Sequence, residues 1–280
     1  KISHKKTRKS TPQLLLHNNV VLNTKKMLGT IILQSYRKEE IKKVAESLNE
    51  LCHPNENYGW ASAGVYAYWN YRTHEVLYIG LASDLTQRFK QHNGFYPSID
   101  RKTCKLEKIE EYFKRNEKIG FSILVQSIIS QPFNSKVKRG NKSYSEASAD
   151  YKNNFGDEGS NSIKHQEGVL IETFRQTNGE IPKWNKANGA KSGQNSTKLK
   201  HYESLKIISN QKEHLLLSKS SLFELAETPT FERFENFLHA VRISAPIYGE
   251  FRAIEMAEKN DPQTYQDIIS ENYFKKELKI

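Results

Sequence analysis

Two tyrosine-bearing segments, twelve positions apart, place the strongest constraint on how this 280-residue chain can fold. The segments read Gly64-Val65-Tyr66 and Tyr78-Ile79-Gly80. Each belongs to a run of β-branched and aromatic residues, 64–70 and 75–81, and four turn-type residues connect the runs. The pattern predicts a β-hairpin that brings the two phenols to neighbouring positions on one face of a sheet.

A short helix is predicted directly after the hairpin. Ser83 or Asp84 is suited to cap its N-terminus, and the Asn-Gly pair that ends in Gly94 indicates a left-handed C-terminal cap. Arg88 and His92 are four positions apart on this helix and therefore share one side of it. We expect a guanidinium and an imidazole to lie beside the phenols of the hairpin.

Further elements are predicted downstream. Helical periodicity indicates helices over 106–118 and 165–174, and Gly120 is predicted to interrupt the chain before an apolar strand over 121–129. The stretch 132–162 is rich in Asn, Ser, Lys and Gly and nearly free of aliphatic residues. Its composition predicts either a groove-contacting loop or a disordered insert, with 131–164 as its limits.

The charge of the chain is high and uneven. The formal net charge is +11, and residues 220–280 contain 7 Lys and Arg against 11 Asp and Glu, so residues 1–219 carry +15. A basic body favours polyanionic partners over neutral metabolites. Residues 1–12 form a basic arm that would follow DNA phosphates if the chain were a nuclease.

Cysteine content and hydropathy exclude several classes of protein. Cys52 and Cys104 are far apart and no Cys/His cluster surrounds them, which argues against a disulfide framework and against a zinc site. No apolar run approaches the ~20 residues that a membrane-spanning helix needs. We therefore expect a cytoplasmic protein with no membrane association.

The ordered set of motifs resembles the GIY-YIG nuclease family. The matching residues are the two tyrosine segments, Arg88 and His92 within 87–94, Glu167 within 167–171, and Asn185 within 182–185. The resemblance covers about residues 63–188. Val65 replaces the middle Ile of the first motif, and the gap between 171 and 182 is longer than the family leads us to expect.

The resemblance implies a fold of the α+β class for part of the chain. A small catalytic domain over 59–190, carrying the insert 131–164, would have a three-stranded antiparallel sheet flanked by helices. Outside it, short apolar runs and an amphipathic helix predict an α/β extension behind the basic arm, within 1–58. Apolar periodicity predicts a linker and a mostly helical C-terminal domain over 191–280.

The resemblance also implies hydrolysis of a phosphodiester with a single metal ion. Glu167 would hold one divalent cation, Mg2+ or Mn2+, and Arg88 would grip the scissile phosphate. Tyr66 would accept the proton of the attacking water. A phenol with an ordinary pKa near ~10 is a weak base at neutral pH, so His92 or Tyr78 would have to assist it.

Two assignments stay open. Glu172, five residues after Glu167, is the alternative metal ligand, although an apolar pair follows Glu167 at the spacing of the family. Asn178 and Asn188 compete with Asn185, which is favoured by its Pro-x-aromatic-Asn context. The chosen asparagine would orient neighbouring groups.

The resemblance favours a site-specific restriction-type or mobile-element endonuclease that acts on double-stranded DNA, as in phage defence. The alternatives are a structure- or damage-selective repair nuclease, an RNA-cleaving enzyme, and a nucleic-acid-binding module with a vestigial nuclease centre. One catalytic centre cuts one strand, so a duplex break calls for a homodimer or for sequential nicking. The acidic C-terminal region is the expected contact surface for a second copy or for another defence protein.

Overall fold

The computed structural model describes residues 29–52, 63–96, 104–125, 144–198, 202–210 and 214–280. Its centre is an antiparallel sheet of β1 (Thr30–Arg37), β2 (Gly64–Asn70), β3 (Val76–Ala82) and β4 (Lys118–Val125), in the order β1-β4-β2-β3. The basic arm 1–12, residues 131–143 of the polar insert and the predicted strand positions 126–129 lie outside the described residues.

The described residues also form ten α-helices. These are α1 (Ile41–Cys52), α2 (Leu85–His92), α3 (Leu106–Phe113), α4 (Tyr144–Asn178), α5 (Lys191–Ser196), α6 (Tyr202–Ile207), α7 (Leu222–Glu227), α8 (Pro229–Tyr248), α9 (Glu250–Asn260) and α10 (Pro262–Ser270). The α+β class and the mostly helical C-terminal region are as predicted. None of the described helices combines the length and the apolarity that crossing a bilayer requires.

The expected three-stranded sheet is wrong, because the sheet has a fourth strand. The strand-like run 30–33, which the sequence assigned to the N-terminal extension, is part of β1. This strand pairs with β4 along its whole length, from Thr30 opposite Val125 to Arg37 opposite Lys118. The two strands are far apart in sequence, and local patterning gives no sign of which distant strands will pair.

Both faces of the sheet are buried, and alternation along β2 decides which side chains face which layer of helices. Tyr66 and Tyr68 point into the core formed with α1, α2 and α3. Val65 and Ala67 point into the core formed with α4. The phenols of β2 therefore lie on the face covered by α2, the helix that carries Arg88 and His92.

Gly120 does not interrupt the chain but lies inside β4. A Cβ atom at this position would collide with the indole ring of its strand partner Trp69. The indole Nε1 of Trp69 donates a 2.7 Å hydrogen bond to Ser122 Oγ, which fixes the ring over the glycine. The strand consequently begins at Lys118, and α3 ends at Phe113 rather than at 118.

The second half of the polar insert is helical. α4 begins at Tyr144, earlier than the predicted start at 165, and continues to Asn178. Ile163 and Leu170, in the later turns of α4, pack against the sheet. The hydrophobic periodicity of the sequence therefore predicted a helix only for those turns. Residues 191–196, predicted to be linker, form α5 against α4, because glycines at the crossing let the two backbones approach closely.

The C-terminal helices have their own core and are tied to the sheet by a buried ion pair. Arg242 Nη1 in α8 lies 2.7 Å from Glu235 Oε2, and both side chains are almost fully buried. The same Nη1 donates to Thr30 Oγ1 in β1 at 3.1 Å. Arg242 also donates to the carbonyls of Leu215 and Leu217, and Leu217 pairs with Ile31 at the outer edge of β1.

Candidate functional site

The β2–β3 hairpin sets the phenols in register as predicted. Tyr68 pairs with Tyr78 and Tyr66 pairs with Gly80, so Tyr66 and Tyr78 are diagonal neighbours on one face. Their ring centroids are 5.8 Å apart. Tyr66 is buried, at 2 % exposure, whereas Tyr78 is partly open to solvent.

Gly80 is required for this arrangement. A Cβ atom at Gly80 would lie 2.7 Å from the hydroxyl oxygen of Tyr66 and 2.7 Å from Cε1 of Tyr78. The phenol of Tyr66 therefore crosses directly over the backbone of the facing strand. Only glycine leaves room for both rings at this point.

The helix α2 holds Arg88 and His92 beside the hairpin. Its N-cap is Asp84, whose carboxylate accepts a 2.8 Å hydrogen bond from the N–H of Gln87. Gly94 follows the helix with φ of 82°, in the left-handed region that the sequence predicts. Both ends of this short helix are thus fixed by their own sequence.

Two hydrogen bonds determine the proton position on His92. The backbone N–H of Lys105 donates to His92 Nδ1 at 3.0 Å, so Nδ1 carries no proton. In the neutral ring the proton then resides on Nε2, which lies 2.7 Å from the hydroxyl oxygen of Tyr66. His92 is therefore the donor and Tyr66 the acceptor.

Electrostatics keep His92 in this neutral form. Burial, followed by the charges of Arg88 and Lys105, lowers the pKa of His92 to about 3. The imidazole is therefore uncharged throughout the physiological pH range. It serves Tyr66 as a hydrogen-bond donor and not as a proton acceptor.

Tyr66 in turn lies against Tyr78, with the ring centroids 5.8 Å apart. Burial raises the pKa of Tyr78, and the interaction with the side chain of Tyr66 opposes that rise. Burial and the neighbouring Tyr78 hold the pKa of Tyr66 well above its ordinary value. Hydrogen bonds run from Lys105 to His92 and from His92 to Tyr66, and Tyr66 lies against Tyr78, the more accessible phenol.

Glu167 reaches this group from the opposite helical layer, since α4 packs against β3 at the edge of the sheet. Its charge raises the pKa of Tyr78, and the charge of Arg88 lowers the pKa of Glu167, so the three groups are within electrostatic range of one another. Burial outweighs Arg88 and raises the pKa of Glu167 to about 7. A nearby cation would stabilise the carboxylate form.

The alternative carboxylate, Glu172, is engaged elsewhere. Arg175 donates to it through Nε at 2.8 Å and Nη2 at 2.6 Å, and Gln176 Nε2 donates at 2.9 Å. The bond from Arg175 lowers the pKa of Glu172, although burial opposes it. Of the two carboxylates, only Glu167 affects the pKa of Tyr78.

Asn185 binds the outer edge of β3. Its Oδ1 accepts from the N–H of Ile79 at 3.0 Å, and its Nδ2 donates to the carbonyl of Ile79 at 2.7 Å. The amide thus replaces a missing strand partner and fixes the backbone next to Tyr78. The competing Asn178 donates to the carbonyl of Phe174 within α4, and Asn188 is exposed.

Two residues of the site were missed by sequence reasoning. Tyr68 stacks on Tyr78 with ring centroids 6.5 Å apart, and its position two residues after Tyr66 could have revealed it. Lys105 places its Nζ 4.5 Å from the ring centroid of Tyr78. No motif marks Lys105, since it reaches the site only through the tertiary fold.

The donor set of the site suits a hard cation held mainly by other ligands. Within the described ranges, no group of three or more His, Cys, Asp and Glu could by itself enclose a metal ion. Glu167 offers one half-buried carboxyl, and burial raises its pKa to about 7 although Arg88 opposes that rise. A magnesium-type ion is commonly bound by one or two carboxylates, waters and phosphate oxygens, so the residues fit such an ion.

Comparison with known proteins provides no relative from which a function can be transferred. The chain matches no family model, no curated protein and no solved structure.

Proposed function

We propose that this chain is a metal-dependent endonuclease of the GIY-YIG type that hydrolyses phosphodiester bonds in double-stranded DNA. One observation carries the proposal: the hydroxyl oxygen of Tyr66 lies 2.7 Å from His92 Nε2, and its ring centroid lies 5.8 Å from that of Tyr78. Arg88 and Glu167 are within electrostatic range of this group. A cation, a carboxylate and a hydrogen-bonded pair of phenols at one sheet edge are the groups that phosphodiester hydrolysis uses.

Arg88 is the residue that we assign to the scissile phosphate. Its Nη1 donates a 2.9 Å hydrogen bond to Gln91 Oε1, which orients the half-buried guanidinium. A guanidinium has five N–H donors, and a planar fork matches two phosphate oxygens at once. Binding a phosphate here would also bring it beside Tyr78.

Glu167 is the residue that we assign to the metal ion, Mg2+ or Mn2+. When bound, the ion would supply positive charge to the phosphate and to the departing 3′ oxygen. Glu167 must lose its proton to serve as a ligand. Its pKa of about 7 means that cation and proton compete for the carboxylate near neutral pH.

We assign the phenol pair to accept the proton of the attacking water. Tyr66, the base expected from the resemblance, is buried with its oxygen held by His92, whereas Tyr78 is partly open to solvent. We place the accepting oxygen on Tyr78, with Tyr66 and His92 as the donors that stabilise its phenolate. Arg88 lowers the pKa of both phenols and so favours the same step.

The charge distribution supports a nucleic-acid substrate. Residues 1–219 carry a formal +15, and a surface of this sign attracts the phosphate backbone without regard to sequence. The restriction-type or mobile-element role is a finer part of the proposal and rests on the resemblance. A duplex break by this chain would need a second copy or two successive nicks.

A plasmid assay tests the proposal. Supercoiled DNA is incubated with the wild-type protein in Mg2+, with the wild-type protein in EDTA, and with Glu167→Gln in Mg2+. The matched control is Glu172→Gln, which alters a carboxyl on the same helix that is engaged by Arg175. We expect nicked or linear product from the wild type and from Glu172→Gln in Mg2+ only.

Retention of full cleavage by Glu167→Gln, or equal cleavage in EDTA, would refute the assignment of the metal site. A structured RNA and a duplex DNA of equal length, supplied together, test the substrate class. Preferential loss of the RNA would replace DNA with RNA in the proposal.

A further inference from the structure

A cavity of about 130 Å³ lies where β1 ends and β4 begins, at the end of the sheet that carries the β2–β3 turn. It is lined by Arg37, Tyr71, Arg72, Asn116, Glu117 and Lys118. Three of these residues are cations and one is a carboxylate, so the lining has a formal charge of +2. One water needs about 10–15 Å³, so the cavity has room for a phosphate group.

The carboxylate in the lining binds only one of the three cations. Arg37 donates through Nε to Glu117 Oε1 at 2.8 Å, and its Nη2 lies 2.7 Å from the same oxygen. The Nζ of Lys118 lies instead 5.1 Å from the ring centroid of Tyr71. In the ranges that the structure describes, neither Arg72 nor Lys118 forms an ion pair with a carboxylate. Two cations at the cavity are therefore left to bind a ligand of opposite charge.

Hydrogen bonds fix the backbone on both sides of the cavity. Asn70 Oδ1 accepts from the N–H of Arg72 at 2.9 Å and from the N–H of Thr73 at 3.1 Å, which fixes the β2–β3 turn. The hydroxyl of Tyr112 in α3 donates to the carbonyl of Lys118 at 3.2 Å, which fixes the start of β4. Because the backbone that carries both cations is already ordered, binding an anion here costs less conformational entropy.

A row of aromatic rings connects the cavity to the candidate site. The ring centroid of Tyr112 lies 6.0 Å from that of Trp184. Trp184 in turn lies 6.3 Å from Tyr68, which stacks on Tyr78. Arg72 follows Tyr68 by four residues, which span at most about 14 Å. Successive phosphates of a DNA strand are ~3.4 Å apart along the helix axis, so a duplex with one phosphate at Tyr78 has others within reach of the cavity.

We propose that this cavity is a second phosphate-binding site, at which Arg72 and Lys118 hold a backbone phosphate of the nucleic-acid substrate away from the scissile bond. The planar guanidinium of Arg72 matches two phosphate oxygens, and the ammonium of Lys118 adds a point charge. The choice of nucleic acid over a small phosphate rests on the proposed function and on the +15 formal charge of residues 1–219. Phosphate contacts position a duplex without reading its sequence, so the cavity orients the substrate and leaves specificity to other residues.

Binding of a labelled duplex oligonucleotide in EDTA, followed by fluorescence anisotropy over a series of salt concentrations, tests the site. Arg72→Met and Lys118→Met keep an unbranched stem and lose the charge. Glu117→Gln removes the carboxylate and frees the guanidinium bound to it. The matched controls are Lys259→Met and Glu255→Gln, which remove the same charges from a surface ion pair of α9. Thermal unfolding checks that each variant is folded.

We expect Arg72→Met and Lys118→Met each to lower affinity about tenfold at low salt and to reduce the slope of log K against log salt by about one. Glu117→Gln should have the opposite effect, with tighter binding and a steeper slope, because it leaves a third cation for the phosphate. A folding defect does not produce such a gain. The two controls should retain the wild-type slope.

An unchanged slope in Arg72→Met, an equal decrease in Lys259→Met, or weaker binding by Glu117→Gln overturns the site. Calorimetric titration with inorganic phosphate separates the two sources of the ligand. Phosphate binding that Arg72→Met abolishes, together with a wild-type DNA slope in that variant, would replace nucleic acid with a small phosphate. A wild-type chain that binds DNA with the expected slopes but cuts no plasmid in Mg2+ overturns the proposed nuclease and supports the site. A wild-type chain that does not bind duplex DNA overturns both.

Discussion

His92 donates its Nε2 proton to the hydroxyl oxygen of Tyr66 across 2.7 Å, because the backbone N–H of Lys105 occupies the other ring nitrogen. The direction of this bond excludes the resting imidazole as the acceptor of the Tyr66 proton. It also predicts which replacements of His92 can preserve the site. A side chain that still presents an N–H at the Nε2 position should retain part of the function.

We therefore expect His92→Gln to cleave plasmid faster than His92→Leu, with a loss of about 10² or more in the leucine variant, in line with removal of one preorganised donor. Rates under single-turnover conditions provide the measurement. Equal rates for the two variants would show that the donated proton is irrelevant. The thermal midpoints of both variants, measured in parallel, separate loss of the donor from loss of the fold.

Gly80→Ala should abolish cleavage while the protein remains folded. The added methyl group would meet the hydroxyl oxygen of Tyr66, so the phenol must leave its position between His92 and Tyr78. The matched control is Gly120→Ala, whose methyl group meets Trp69 instead. The control should lower stability by about 1–3 kcal/mol through overpacking, yet retain more specific activity than Gly80→Ala. Activity per folded molecule, from cleavage and circular dichroism, decides the comparison.

The rate of cleavage should rise with pH, and the acid limb of the pH–rate profile should reflect the ionisation of Glu167. The pKa of its carboxyl is raised to about 7, and only the ionised form binds a cation, so activity at low Mg2+ should increase as pH passes through about 7. Higher Mg2+ competes with the proton and should move the limb to lower pH. His92, with a pKa of about 3, should contribute no limb near neutrality. A limb that does not move with Mg2+ would contradict the assignment to Glu167.

The local elements of the site are well specified by sequence. Alternating residues and the turn predict the hairpin, and the caps at Asp84 and Gly94 predict α2, because each signal lies within a few residues of its effect. The pairing of β1 with β4 and the position of Lys105 were missed for the opposite reason. Each reaches its partners through long-range packing, which no local pattern encodes.

Glycine is the residue that sequence reasoning read least well. Gly120 was expected to interrupt the chain and is a strand residue beneath Trp69. Gly193 was expected in a linker, and it packs against Gly168 where α4 and α5 cross. A glycine in a sequence is usually interpreted as a position where the backbone is flexible. In these places it provides space for a neighbouring group that lies far away in sequence.

The buried Arg242–Glu235 pair predicts a strong and asymmetric effect on stability. Arg242→Met leaves the Glu235 carboxylate without its cation in a position of zero exposure and removes the bond to Thr30, so we expect a loss of about 3–5 kcal/mol in the free energy of unfolding. The double replacement Glu235→Leu with Arg242→Met should recover part of it. Urea titration measures both. A single variant as stable as the double would contradict a buried charge as the cause.

The folded protein should lose stability as pH falls below 6.5, since two buried histidines resist protonation. Burial lowers the pKa of His92 and of His239 to about 3, so between 6.5 and 3 the unfolded chain binds protons that the native state does not. Each histidine contributes a decline of about 1.4 kcal/mol per pH unit in that window. Glu167 has the opposite sign, because its native pKa of about 7 exceeds the ordinary 4.5, so its contribution to stability rises as pH falls from 7 to 4.5.

Together these three groups predict that the free energy of unfolding falls by about 1.4 kcal/mol per pH unit, the slope for one proton, as pH decreases from 6.5 to 4.5. Single substitutions should change this slope in opposite directions. His92→Gln removes one histidine and should bring the slope close to zero, whereas Glu167→Gln removes the opposing carboxyl and should steepen the slope to about two protons, or about 2.7 kcal/mol per pH unit. Urea unfolding at a series of pH values measures each slope. A wild-type slope in His92→Gln would mean that His92 is protonated in the native state. Its Nδ1 could then not accept from Lys105, and the bond from Lys105 would no longer determine the protonation of the ring.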